Sequence, residues 1–142
     1  MEVEGHASVF WRRDLGDDVV ARGAFAESLA RTGAGGVKML HQHDAGEPVG
    51  VWDEIVEDAR GLWVRGRITD ETPRGRLVGA LVRAGALDGL SIGFRAKRAR
   101  GDESGRLRVL SEVELWEVSI VTFPMLPEAR LRRGGSLTGN KT

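Results

Sequence analysis

Gly89-Leu90-Ser91-Ile92-Gly93-Phe94 decides how this chain is read. A serine between glycines suggests the nucleophile elbow of an α/β-hydrolase. That elbow needs a strand before the serine, a helix after it, and the chain order serine, acid, histidine. Here the elements are reversed: helical spacing precedes the motif and strand-forming residues follow it. The three histidines, His6, His41 and His43, all come before Ser91. The elbow fold also needs a large parallel sheet, for which 142 residues are too few. The hydrolase reading therefore fails on its own context, and an order of histidine, serine and an unknown third group remains.

Composition narrows the field. A chain of 142 residues suggests one domain, large enough to bury roughly two-thirds of its unfolded surface. Twenty-one basic residues balance 21 acidic ones, so no global charge points to nucleic acid or a membrane surface. The absence of cysteine excludes a disulfide scaffold, a thiol nucleophile and a thiolate metal site. No apolar run approaches 18 residues, and the acidic start Met1-Glu2-Val3-Glu4-Gly5 does not resemble a signal peptide. Charge is uneven locally: residues 95–108 hold six basic side chains (Arg95, Lys97, Arg98, Arg100, Arg106, Arg108) against Asp102 and Glu103. A solvated hairpin explains that cluster, and a docking surface for an acidic partner is the functional alternative.

Outward from the motif, residues 90–96 read as one arm of a long hairpin. Its tip lies at 101–105, and its return arm over 107–122 is rich in β-formers and stopped by Pro124 and Pro127. Upstream, Thr72-Pro73 is a helix start, a hydroxyl N-cap followed by proline at the first helical position. Leu77, Ala80, Leu81 and Ala84 follow at helical spacing, and Gly85 is the stop. Residues 49–56 and 61–68 form a hairpin, and 37–42 a strand that delivers His43. Residues 44–48 read as a turn, 24–30 as a short helix, 12–18 as a charged loop and 2–11 as the first strand. The expected fold is mainly β (α+β): a small antiparallel β-barrel of six or seven strands with flanking helices. The domain spans residues 1–127, and 128–142 reads as a mobile basic and polar tail.

With the order of elements in place, a family pattern emerges. It runs through Gly5-His6-Ala7-Ser8-Val9-Phe10, Gly23-Ala24-Phe25, Leu40-x-x-His43-Asp44, Pro48-Val49-Gly50 and Gly61-Leu62-x-Val64-x-Gly66. It continues through Gly85-Ala86-Leu87-Asp88-Gly89-Leu90-Ser91-Ile92-Gly93-Phe94 and closes with Leu115-Trp116-Glu117-Val118-Ser119-Ile120-Val121-Thr122-x-Pro124. Over residues 5–131 the chain resembles the prohead (capsid maturation) serine proteases of tailed phages, related in fold to the herpesvirus assemblins. The resemblance implies a serine endopeptidase acting on major capsid protein or scaffold, and on its own chain, inside the procapsid in the bacterial cytoplasm. It implies no cofactor and no metal, and by analogy with the herpesvirus enzymes it admits a homodimer.

Carried over by position, His43 matches the family's base and Ser91 its nucleophile. Herpesvirus relatives use a second histidine as third member; none follows Ser91 here, so a carboxylate must serve. Glu117 is the first choice, and Glu112 and Glu114 are the alternatives. Strand alternation puts those two on one face and Glu117 on the other. Arg95, four residues beyond Ser91, is placed to assist an oxyanion. The chemistry asks for these residue types. Serine is a weak nucleophile until a base takes its proton, neutral imidazole can do so, and a carboxylate on the other ring nitrogen fixes the tautomer.

Each residue also has a plainer reading. Ser91 alone is a strand serine, His43 alone a strand-end histidine, and Glu117 a carboxylate paired with an arginine. His41 and His6 read as structural. His41-x-His43-Asp44 lacks the further ligands a zinc site needs. For the whole chain, the alternative to a protease is a non-catalytic barrel serving as a scaffold-like partner in capsid assembly. Nucleic-acid binding is disfavoured by the charge balance and the absence of tyrosine.

Overall fold

The computed structural model describes residues 1–134. Along the chain it forms β1 (Glu2–Val9), β2 (Asp18–Val20), α1 (Ala26–Thr32), β3 (Lys38–His41), β4 (Asp44–Glu57), β5 (Gly61–Ile68), α2 (Pro73–Arg83), β6 (Gly89–Gly101), β7 (Arg108–Val121) and β8 (Leu131–Arg133). The strands make one curled mixed sheet in the order β2-β7-β3-β4-β5-β1-β8, with β6 along the other edge of β7. The α2 start is as the sequence implies: the Thr72 hydroxyl accepts from the Gly75 N–H at 3.0 Å, ahead of Pro73. Among the described residues no helix is long and apolar enough to cross a membrane.

The mainly-β architecture with two helices agrees with expectation, and the sheet curls into a half-barrel. Leu90 N–H donates to the Ala129 carbonyl and Leu131 N–H to that of Asp88, so the start of β6 meets the far end of the sheet. Two pairings are parallel rather than antiparallel. Both β2 and β3 lie on one edge of β7, β2 against residues 108–110 and β3 against 117–120. Between them the α1 region satisfies β7: the Ala24 carbonyl accepts from Val113 N–H, and the Ser28 hydroxyl from Leu115 N–H.

Three local expectations need correction. Residues 44–48 do not reverse the chain. The reversal falls at Gln42 and His43, between the paired His41 and Asp44. Both residues have positive φ, 55° and 60°, as a two-residue hairpin loop of the right twist requires. Asp44 still behaves as a turn residue, its carboxylate accepting from Gly46 N–H at 2.9 Å, but it shapes a bulge inside β4. Second, the loop read over 12–18 ends in strand β2, held by parallel pairing to β7. Third, the tail does not begin at 128. Ala129 and Leu131 are buried, and β8 pairs with β1; residues 135–142 of that expected tail lie outside the described residues.

One irregularity governs the site. On β7 the core side carries Val113, Leu115, Val118 and Ile120, all buried. The alternation slips between Leu115 and Val118, because Gly93 opposes Glu117 while Phe94 opposes Leu115, leaving Trp116 as the extra residue of a bulge. A bulge inverts the parity of everything beyond it. Glu112 and Glu114 therefore share the non-core face of the sheet with Glu117 and Ser119, which corrects the opposite faces expected from strict alternation.

Candidate active site

The site is built where β6 and β3 flank β7. Ser91 lies directly opposite Ser119, and Gly93 opposite Glu117. Directly opposed residues share a face, with Cβ atoms about 4.5–5.5 Å apart. His43 arrives on the same face from the β3–β4 turn. Its ring Nδ1 lies 2.6 Å from Glu117 Oε2. The other carboxylate oxygen, Oε1, accepts from the Ser119 hydroxyl at 2.7 Å, and that hydroxyl accepts in turn from His43 N–H at 3.0 Å.

The turn that carries His43 is strained and then held. Left-handed backbone at two residues other than glycine costs about 1–3 kcal/mol each. Offsetting contacts pin the turn to the end of β7. Gln42 N–H donates to the Ile120 carbonyl, the Gln42 side-chain amide donates to the Thr122 hydroxyl at 2.7 Å, and Gln42 Oε1 accepts from Thr122 N–H at 3.2 Å. Strain fixed in this way marks a residue whose direction matters more than its local energy.

Electrostatics follow from the geometry. The hydrogen bond to Glu117 raises the His43 pKa above the ordinary imidazole value; partial burial opposes it, and the negative charge of Glu117 adds to it. Because the folded value is raised, protonated His43 stabilises the fold below its unfolded pKa of about 6.5. That contribution is lost as pH rises through the raised folded value. With Nδ1 engaged by the carboxylate, Nε2 is the ring nitrogen left open to take a proton. Ser91 is 6% exposed, and among the described residues no side-chain oxygen or nitrogen, its hydroxyl included, is left both buried and unpartnered.

Gly93 is the least conspicuous part of the site. A Cβ built there would overlap the Glu117 carboxylate, so glycine leaves the space in which that carboxylate meets His43. Gly93→Ala is expected to destabilise the protein by about 1–3 kcal/mol in urea unfolding. It should also return the His43 imidazole towards its ordinary pKa in an NMR titration. An unchanged titration would mean that the carboxylate does not depend on this space.

The other residues singled out from the sequence lie elsewhere. Glu114 pairs with Arg95 at 3.1 Å, and Glu112 with Arg98 at 3.1 Å and Lys97 at 3.6 Å. The two alternative carboxylates are thus engaged in surface ion pairs, and so is Arg95. His41 has a lowered pKa, through burial and then the charge of Arg74. His6 bonds Asp58 at 2.8 Å and meets the Trp63 ring edge-on. Much of the basic hairpin is likewise neutralised, since Arg108 forms a two-bonded pair with Asp18. Sequence reasoning missed Ser119, Gly93 and Gln42 as parts of the site. A signal existed for Ser119: it stands two residues after Glu117 on a strand, hence on the same face.

Comparisons with known proteins bear on the family and the fold. The family model described as "Caudovirus prohead serine protease" matches residues 1–138. The prohead protease of Enterobacteria phage HK97 is 33% identical over 141 residues, covering 98% of this chain and 62% of that protein. The chain thus spans about three-fifths of the length of that relative. Among solved structures, the capsid assembly protease of bacteriophage T4 superposes with a TM-score of 0.64 at 14% identity, over 84% of this chain and 80% of that one. The protease of the herpesvirus KSHV, solved with a hexapeptide phosphonate inhibitor, superposes with a TM-score of 0.63 at 15% identity, over 95% of this chain and 65% of that one. At such identities these two likenesses speak for the fold alone.

Proposed function

The chain belongs to the caudovirus prohead serine protease family, and from that premise we propose that it is a serine endopeptidase of capsid maturation, with Ser91 as nucleophile, His43 as base and Glu117 as the orienting carboxylate. The observation that carries the proposal is the His43–Glu117 bond on the sheet face that also bears Ser91. In this mechanism His43 Nε2 takes the Ser91 proton as Oγ attacks the scissile carbonyl. The imidazolium, stabilised by Glu117, then gives that proton to the leaving amine, and water hydrolyses the acyl-enzyme by the reverse sequence. The substrates are capsid or scaffold segments, and the chain's own C-terminal region, within the assembling particle.

Co-expression with the capsid protein of the same particle, read by intact mass, tests this. A truncated capsid mass is the expected result and gives the cleavage site. Full-length masses beside normally assembled particles would replace the protease with a non-catalytic assembly role. The base also predicts a pH profile. Below its raised pKa His43 already holds a proton and cannot accept one from serine, so kcat/KM rises with pH, its midpoint above about 6.5. Measurement on a fluorogenic peptide checks this, and a midpoint below 6.5 would exclude His43 in the observed pairing as the base.

A further inference from the structure

We infer that Ser119 is a positioning residue of this site, holding both the carboxylate and the histidine through a single hydroxyl; the inference rests on the function proposed above. Ser119 is fully buried. A buried hydroxyl is costly unless its bonds are made, and here both bonds go to the His43–Glu117 pair. Their directions are not in doubt. The His43 backbone N–H can only donate, and the hydroxyl has one proton, which goes to the carboxylate. With Oε1 held by Ser119 and Oε2 by the imidazole, the Glu117 carboxylate cannot rotate without breaking a bond. The same oxygen anchors the backbone of a residue with left-handed φ, so the turn and the carboxylate are set relative to one another. Glu117 from β7 is the charge that acts on the imidazole; Asp44 follows His43 along β4, and β6 contributes the uncharged Ser91 and Gly93 beside the pair, with Arg95 further along that face and paired with Glu114.

Valine and threonine at position 119 have nearly the same shape and differ in the hydroxyl, so comparing them separates packing from hydrogen bonding. The first readout is the His43 imidazole titration by NMR, in a Ser91→Ala background where no self-cleavage can occur. Ser119→Thr should keep the raised pKa, and Ser119→Val should let it fall towards the ordinary value. In the Ser91-containing protein, Ser119→Val should lower kcat about 100-fold relative to Ser119→Thr, with KM within about twofold, because the substrate site is untouched while the base is misaligned. Identical His43 titrations in the two variants would overturn the inference whatever their activities. Failure of the protease reading would show separately, as cleavage that does not depend on Ser91, and the titration would still decide the role of Ser119.

Discussion

Ser91→Ala is expected to abolish peptide-bond cleavage, lowering kcat by about five to six orders of magnitude while changing stability by no more than about 0.5 kcal/mol. The two effects separate because of where the hydroxyl sits. It lies across the ladder from Ser119 but outside the network that joins Ser119, Glu117 and His43. Losing that oxygen leaves the bonds joining Ser119, Glu117 and His43 in place, yet it removes the atom that would form the acyl-enzyme. Single-turnover assays on a peptide spanning the cleavage site, beside a urea melt, measure both. Retained cleavage by a well-folded Ser91→Ala protein would remove Ser91 from the mechanism. An inactive protein that had also lost several kcal/mol would show the serine to be structural.

Glu117→Gln comes next, with an expected loss of about two to four orders of magnitude in kcat and little change in KM. The size follows from which atoms the neighbours can accept. The Ser119 hydroxyl donates to Oε1, so the glutamine carbonyl is drawn to that side and its amide faces His43 Nδ1. An amide donor there selects the imidazole tautomer with its proton on Nε2, which cannot take a proton from serine. The imidazolium also loses its counter-charge. The raised pKa of His43 has the Glu117 hydrogen bond as its largest cause, so the acidic limb of the kcat/KM profile should move to lower pH in this variant. A profile with an unmoved limb and full kcat would mean that the carboxylate holds the loop and no more.

The parts of the site legible beforehand are those with local signatures. Thr72-Pro73 starts a helix because capping is settled within four residues, and residues 61–68 form β5 because alternation is a property of one strand. The histidine-before-serine order eliminated the nucleophile elbow with no coordinates at all. Less was legible where a residue's meaning depends on a distant partner. Asp44 to Pro48 has turn composition, but the β3–β4 register moves the reversal onto Gln42 and His43, which have no such composition. β2 and β8 are three residues each and exist because β7 and β1 offer them edges.

The order of His43, Ser91 and a later carboxylate, the absence of thiol chemistry, and the mainly-β character with two helices are determined by the sequence alone, through residue type, spacing and periodicity. Which carboxylate meets His43 was decided only by the tertiary structure. The bulge at Trp116 places three glutamates on one face, so parity no longer discriminates among them. The choice then falls to neighbours outside β7: arginines of β6 beside Glu112 and Glu114, and His43 beside Glu117, whose carboxylate fills the space that Gly93 leaves. A strand's own residues set which way a side chain points, but the ion or ring it meets there is set by the elements packed against it.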